Sequence, residues 1–331
     1  MLTDLELKDI YLGEKNAWIA GVPGTSDPVP APQDCHEELD ELRDLCRSTL
    51  AETQREEFAV RHRGVAYRVS VLNSLSDIVY VLRRFPPTVP DLSELNIHPG
   101  YTAQLMKPGI SGLIVIAGAF GQGKTTTASS IVATRLKEYG GVAITVEDPP
   151  EMPLEGEHGE GVCYQTWVDR GGFGEACRKT ARYAPSIIFL GEVRDSETAA
   201  EALRASINGR LVLCTTHADS VPMAIERMYS LANGVAGNSE DTASLLAGGL
   251  LCVMHQRLEG EPKRPKIEFL WLGDDESMGV RNTIRLRRFD QVASEVTLQL
   301  NRMLMAARTP PAPPTGTDNP SEGDRRRIPR K

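Results

Sequence analysis

Short apolar runs alternate with amphipathic segments through the middle of the chain. Residues 113–117 form an almost wholly apolar run, as expected for a strand buried on both faces of a parallel sheet. Behind this run, apolar residues recur at helical spacing at Ala128, Ile131, Val132 and Leu136. Helix-like segments separate the first three of four later strand-like runs, which cover residues 142–148, 186–192, 210–217 and 266–272. Strands that alternate with helices predict an α/β fold with a parallel sheet and helices on both faces.

The pattern near the start of the chain predicts a separate, small α+β domain over residues 1–86. Residues 34–57 combine an acidic face with an apolar stripe, which is typical of an amphipathic helix, and residues 64–84 predict two strands joined by a short turn. The rest of the chain is interpreted as a proline-rich interdomain linker at residues 87–100, a core domain at 101–308 and a disordered, basic tail at 309–331.

The net charge and the cysteine pattern weigh against several classes of function for this chain. A net charge of −8 and a pI of about 5.4 argue against a protein that coats nucleic acid, so no direct nucleic-acid partner is expected. The 6 cysteines include no C-x-x-C pair, which favours buried, reduced thiols in a cytosolic protein over a zinc site. The start shows no signal-peptide pattern, and the longest apolar runs are too short to span a bilayer. We therefore expect no direct membrane insertion.

A glycine-rich segment, GAFGQGKTT, follows the apolar run at residues 113–117 and fits the pattern G-x-x-x-x-G-K-[ST]. In such a loop, glycines let backbone N–H groups surround phosphate oxygens, the lysine ammonium reaches the outer phosphates, and the following hydroxyl ligates Mg²⁺. The helix behind the loop presents its positive end to the anion. We expect ATP and Mg²⁺ to be bound here, with the nucleotide held by Gly118, Gly121, Gln122, Gly123, Lys124, Thr125 and Thr126.

Three other strand ends carry candidate catalytic side chains. Glu147 and Asp148 end one predicted strand, Glu192 ends the next and His217 ends a third. A carboxylate near Mg²⁺ and the γ-phosphate can hold the metal or orient the attacking water, and an imidazole can sense whether the γ-phosphate is present. We assign Thr125 and Glu192 to the metal and Glu192 and His217 to catalysis. Glu147 remains the rival of Glu192 for orienting the water.

The ordered blocks GAFGQGKTT, TVEDPPE, PSIIFLGEVRDSETA and GRLVLCTTHADS resemble the motor ATPases of type II and type IV secretion and of type IV pili. The resemblance implies a RecA-like P-loop core domain and a PAS-like fold for the N-terminal domain. It also implies that Arg68 and Arg83 are catalytic arms that reach the nucleotide, with Arg84 as the alternative to Arg83 because neighbouring strand residues point to opposite faces. The lack of a tetracysteine zinc motif separates the sequence from the assembly-type ATPases of this family. The compact chain and the segment VRNTIR at residues 280–285 resemble the retraction-type, PilT-like group most, with the DotB-like group next.

The same resemblance implies a homohexameric, Mg-ATP-hydrolysing motor that is cytoplasmic and peripheral at the inner membrane. Its partners would be membrane-embedded platform or secretion-channel proteins of a pilus, secretion or conjugation machine. Two alternatives stay open, a nucleic-acid-stimulated RecA-like translocase and a monomeric P-loop kinase. The sequence departs from the family at Ala119, Phe120 and Gln122, where Pro, Thr and Ser are preferred, and at Gly191, where Asp is usual. These departures affect the assignment to a subtype of the family and do not affect the expected ATPase activity.

Overall fold

The computed structural model describes residues 2–168 and 171–308, which form two β-sheets flanked by helices. One sheet is built from strands before residue 85, and the other from strands after residue 111. The tail predicted at residues 309–331 lies outside the described residues.

The first sheet is antiparallel and carries one helix on its inner face. Its strands are β1 (Asp9–Leu12), β2 (Ala17–Ala20), β3 (Val29–Pro30), β4 (Glu57–His62), β5 (Val65–Asn73) and β6 (Ile78–Arg84), in the spatial order β3-β2-β1-β6-β5-β4. Helix α1 (His36–Thr53) buries its apolar stripe, including Leu39 and Leu42, against inward residues such as Ile10 and Val69. This arrangement confirms a small α+β N-terminal domain.

The second sheet has eight strands, six of them parallel. They are β7 (Gly112–Ala117), β8 (Gly141–Glu147), β9 (Gly156–His158), β10 (Gly161–Trp167), β11 (Ile187–Leu190), β12 (Leu211–Thr216), β13 (Leu250–Glu259) and β14 (Arg264–Trp271), in the order β14-β13-β7-β12-β11-β8-β10-β9. The edge strands β14 and β9 are antiparallel to their neighbours. The predicted α/β core with a parallel sheet is thus confirmed, although the strand predicted at residues 266–272 is an antiparallel edge.

Helices cover both faces of this sheet. They are α2 (Pro99–Leu105), α3 (Lys124–Tyr139), α4 (Phe173–Arg182), α5 (Ser196–Ile207), α6 (Val221–Ala236), α7 (Ser239–Gly249), α8 (Met278–Arg285) and α9 (Val292–Arg308). Successive residues of β7 point to opposite faces, so Ile114 belongs to the apolar cluster that includes Ile131 of α3, while Val115 belongs to the cluster that includes Leu203 of α5. Both faces of the central strands are therefore buried.

The segment interpreted as a linker is packed against the second sheet. Residues Leu92–Leu95 form a short 3-10 helix, and Leu92 and Ile97 are buried in the same apolar cluster as Ile114. Within residues 2–168 and 171–308, no helix has the length and apolar character needed to cross a membrane.

Candidate active site

A cavity of about 860 Å³ opens at the carboxyl ends of the parallel strands. Volumes of this order hold nucleotide-sized ligands, and ligands of open α/β sheets bind at this edge. The lining comes from the phosphate loop, from the loops after β8, β11 and β12, and from the first sheet. The cavity therefore gathers residues that are far apart in the sequence.

The phosphate loop connects β7 to α3. Gly118, Gly121 and Gly123 all have positive φ angles, of 152°, 73° and 75°, which side-chain-bearing residues rarely adopt. The ammonium of Lys124 donates to the carbonyl oxygens of Gly118 at 2.9 Å and Ala119 at 2.8 Å. Burial lowers the pKa of Lys124, and the negative charges of Glu192 and Glu151 oppose that shift. The lysine is thus held within the loop with carboxylates nearby.

Glu192, just after β11, is fixed between two side chains that can carry positive charge. Its Oε1 lies 2.9 Å from Nε2 of His217, and its Oε2 lies 2.6 Å from Nη2 of Arg194. All three residues line the cavity. The hydrogen bond to Glu192 raises the pKa of Arg194, since it stabilises the guanidinium. The predicted neighbours Glu192 and His217 are therefore in direct contact, and Arg194 joins them.

Gly191, just after β11, lies against the neighbouring parallel strand β8. A Cβ atom at Gly191 would lie 3.2 Å from Cγ and 3.4 Å from Cα of Glu147. The hydroxyl of Thr215 donates to the carbonyl oxygen of Gly191 at 2.5 Å, which fixes the backbone on the other side. The close approach of Glu147 favours the smallest residue here.

Glu147, the rival for orienting the water, lies beneath the cavity and not among its lining residues. It is 1% exposed, and its Oε1 accepts a 2.9 Å hydrogen bond from Nε2 of Gln165. Burial raises the pKa of Glu147 to about 7, although hydrogen bonds from Gln165 and Thr145 lower it. Glu151, four residues on, is exposed and lines the cavity. Asp148, at the end of the predicted strand, also lines the cavity, so the loop after β8 contributes two carboxylates to the lining.

The two predicted arginine arms reach the cavity from the first sheet of the same chain. Arg68 on β5 lies opposite Arg83 on β6, so both side chains project from one face of the sheet. Nη2 of Arg68 is 3.5 Å from Oε2 of Glu57, while Nε of Arg83 donates to Oδ1 of Asp9 at 2.7 Å. Both arginines line the cavity, as does Arg84, the predicted alternative.

The oxygen donors present are consistent with Mg²⁺. Thr125 and Glu192 contribute a hydroxyl and a carboxylate to one cavity. Mg²⁺ is commonly held by one or two protein oxygens and completes its shell with phosphate oxygens and water. Among the described residues, no cluster of three or more His, Cys, Asp or Glu side chains forms a metal site by itself. This donor set therefore fits a magnesium ion that takes some of its ligands from the protein and the rest from a bound nucleotide and water.

Comparison with models of known protein families shows which family the chain belongs to. A family model described as "Type II/IV secretion system protein" matches residues 38–264, which is more than half of the sequence. The chain belongs to this family. The matched range contains the phosphate loop, Glu192, His217 and both arginines, and it confirms the family resemblance that the four sequence blocks indicated.

Relatives within the family are named as ATPases. The type IV pilus ATPase PilU of Pseudomonas aeruginosa is 32% identical over 208 residues, which cover 62% of this chain and 54% of PilU. The alignment thus spans about half the length of that relative. The crystal structure of the pilus retraction motor PilT with bound ADP matches with a TM-score of 0.73 and 26% identity, over 92% of this chain and 90% of PilT.

A second solved structure supports the fold. The ATPase DotB of Legionella pneumophila matches with a TM-score of 0.67 and 22% identity, over 93% of each chain. This match shows that the chain shares the fold of DotB, and the PilU and PilT matches confirm the expected similarity to the PilT-like group.

Proposed function

We propose that this protein hydrolyses Mg-ATP as a homohexameric motor for a type IV pilus, a type IV secretion or conjugation system, or a related secretion machine. One observation supports the proposal above all. A single nucleotide-sized cavity contains the phosphate loop, the Glu192–His217 pair and two arginines from a separate sheet. The names of the related ATPases point to the same activity.

The phosphate loop would bind the β- and γ-phosphates of ATP. Lys124 would exchange its bonds to loop carbonyls for bonds to phosphate oxygens, and the first turn of α3 would supply backbone N–H donors and the positive end of its dipole. Mg²⁺, when bound by Thr125 and Glu192, supplies positive charge that neutralises the phosphates. Gln122 and Thr126 line the same part of the cavity.

Hydrolysis requires a water molecule to attack the γ-phosphorus as the bond to the ADP oxygen breaks, while a carboxylate accepts the proton of the water. Glu192 is the leading candidate because its carboxylate is oriented by His217 and Arg194. Glu151 is a second candidate that lines the cavity, together with Asp148 of the same loop. The negative charge of a bound nucleotide would act on Glu192 and, through the direct contact between the two side chains, on His217. This position suits a sensor of the γ-phosphate.

Motor action would follow because residues from both sheets line the cavity. Arg68 and Arg83 approach the phosphate loop from the first sheet, so ATP in this cavity would contact both domains and its hydrolysis would release that contact. Rigid-body closure of this kind is a common way to convert nucleotide turnover into movement. We place this motor at the cytoplasmic face of the inner membrane, docked on membrane-embedded platform or channel proteins.

The catalytic assignment is tested by Glu192→Gln, which removes the charge and keeps the shape. We expect ATP binding to persist and turnover to fall by about 10²-fold or more. Glu151→Gln measures how much the carboxylate of Glu151 contributes to turnover. The exposed Glu94→Gln is the matched control. Steady-state turnover and nucleotide affinity are measured on the same samples. Normal turnover by Glu192→Gln would contradict the assignment.

A further inference from the structure

Gln256 lies on β13 beside the start of the phosphate loop. β13 runs parallel to β7, with His255 opposite Ala117, so Gln256 follows at the level of Gly118. The residue is 1% exposed and does not line the nucleotide cavity. A buried side-chain amide needs hydrogen-bond partners, because an unsatisfied one is costly. The partners of this amide lie in the loop and in the helix behind it.

Three hydrogen bonds connect β13 to the phosphate loop and α3. Nε2 of Gln256 donates to the carbonyl oxygen of Gln122 at 2.7 Å, and the hydroxyl of Thr127 donates to Oε1 of Gln256 at 2.8 Å. In return, the backbone N–H of Leu258 donates to Oε1 of Gln122 at 2.7 Å. One amide therefore joins the loop to the first turn of α3, and a second amide ties the loop back to the strand.

The bond to Gln122 orients a peptide group of the loop. In a planar trans peptide, the carbonyl of one residue and the N–H of the next point in opposite directions. Since the carbonyl of Gln122 is directed at Gln256, the N–H of Gly123 is directed away from it, and Gly123 lines the cavity. A backbone carbonyl only accepts, so the bond requires a donor at position 256.

The loop also packs tightly against the same residue. A Cβ atom at Gly118 would lie 2.4 Å from the backbone oxygen of Gln256, and one at Gly123 would lie 3.1 Å from its Nε2. Both glycines of the sequence motif are thus in contact with Gln256. The shape of the phosphate loop in this chain depends on β13 as well as on its own sequence.

We propose that Gln256 is a positioning residue of the nucleotide site. It acts through Gln122 and Thr127 by holding the phosphate loop in the shape that binds phosphate, without touching the nucleotide itself. This inference rests on the proposed nucleotide-binding function. It also gives Gln122 a second role, since a serine at that position is too short to make the same bond to the N–H of Leu258.

The test is Gln256→Leu, which keeps the approximate volume of the side chain and removes both of its hydrogen bonds. We expect the dissociation constant for Mg-ADP, measured by calorimetry, to rise about tenfold or more. The matched control is Gln299→Leu. Gln299 also bridges backbone groups, accepting from N of Trp271 at 2.8 Å and donating to O of Trp271 at 2.9 Å, but it lies outside the cavity lining. This control should lower the melting temperature and leave the Mg-ADP affinity unchanged.

A second variant, Gln256→Glu, separates positioning from general stability. The ionised carboxylate still accepts from Thr127 but cannot donate to Gln122, whereas the protonated acid can donate. Relative to the unchanged protein at the same pH, we expect weak Mg-ADP binding at pH 8 and recovery toward pH 6, since burial raises the pKa of a carboxyl group. This variant also serves if Gln256→Leu does not fold.

The outcomes separate the inference from the function on which it rests. An unchanged chain that binds no Mg-ADP would contradict the proposed function and this inference together. An unchanged chain that binds Mg-ADP, with Gln256→Leu or Gln256→Glu at pH 8 within about twofold of it, would overturn the positioning role alone. Equal losses of affinity in Gln256→Leu and Gln299→Leu would also overturn it, because the effect would then be one of stability.

Discussion

Glu147 ends β8 and Glu192 follows the neighbouring parallel strand β11, but their surroundings give the two carboxyl groups different chemistry. Glu147 is 1% exposed and has a pKa raised to about 7 by burial, so part of it is protonated near neutral pH. The side chain of Glu192 is 18% exposed and lies against His217 and Arg194. The sequence places both residues at strand ends and does not show this difference in environment.

Glu147→Gln should change how stability depends on pH. Because the pKa of Glu147 is raised above its ordinary value of 4.5, this residue contributes stability at low pH that is lost as the pH rises through about 7. Gln keeps an oxygen that can accept from Gln165 and does not ionise. We expect the free energy of unfolding of the variant, relative to the unchanged protein, to improve by roughly 2 kcal/mol between pH 5 and pH 8.

Urea unfolding at both pH values checks this result, with the exposed Glu94→Gln as control. A difference between Glu147→Gln and the unchanged protein that stays constant with pH would contradict the burial account.

Site residues were predictable from the sequence where they belong to a local motif with its own chemistry. Lys124 and Thr125 follow directly from the spacing of glycines, and His217 and Glu192 follow from the strands that they end. Glu151 was missed because two prolines separate it from the strand end, and only the fold shows that this loop returns to the cavity. The contact between Gly191 and Glu147 belongs to adjacent strands and has no signature within either one.

At the scale of elements, the central strands were predictable because burial on both faces leaves an apolar run. Strand β13 was missed because α7 leads into it through the continuous apolar stretch LLAGGLLCVM, in which helix and strand cannot be separated by periodicity. Strand β10 was missed because it lacks a continuous apolar run: only Gly161 and Cys163 are buried, and Tyr164 is exposed. Helix α5 lies where a helix-like segment was predicted, between residues 192 and 210, and the structure shows Asp195 as its N-cap.

Asp195→Ala should destabilise the start of α5. Its carboxylate accepts from the N–H of Thr198 at 2.8 Å and from the hydroxyl of Thr198 at 2.7 Å. Loss of an N-cap costs about 1 kcal/mol of unfolding free energy. Asp195→Asn, which retains a capping oxygen, is the matched variant and should lose less. Denaturant unfolding distinguishes them, and equal stability of Asp195→Ala and the unchanged protein would show that the cap is unimportant.

On the scale of the whole molecule, the nucleotide site depends on both sheets. Arg68 and Arg83 belong to the first sheet, yet they line the cavity of the second sheet within one chain. An arginine that neutralises charge on a transferring phosphoryl group is worth about 10³-fold or more in rate, whereas an exposed ion pair contributes less than about 1 kcal/mol to stability. The two roles are therefore separable by measurement.

Arg68→Ala should lower ATP turnover by about 10³-fold, or about 4 kcal/mol of barrier, with a much smaller loss of nucleotide affinity. The exposed Arg61→Ala, on β4 of the same sheet, is the control and should retain turnover. Normal turnover by Arg68→Ala would show that this arginine has no catalytic role and forms only a surface ion pair.

Mixed assemblies test whether the arginine acts within its own chain. Because Arg68 lines the cavity of the chain that carries it, mixtures of Arg68→Ala and Lys124→Ala chains should stay inactive. Activity in verified mixed assemblies would show that the arm reaches a neighbouring subunit.

The central claim is that this chain is an ATP-hydrolysing oligomeric motor, and one paired measurement tests it most directly. Turnover of Mg-ATP and mass in solution are determined on the same sample, with and without single-stranded DNA, for the unchanged chain and for Lys124→Ala. We predict that a hexamer turns over Mg-ATP without stimulation by DNA. Lys124→Ala should lose turnover at unchanged thermal melting, because the ammonium of Lys124, which donates to carbonyl oxygens of the loop, would contact the phosphates of ATP. A monomer, turnover that requires DNA, or full turnover by Lys124→Ala would contradict the account.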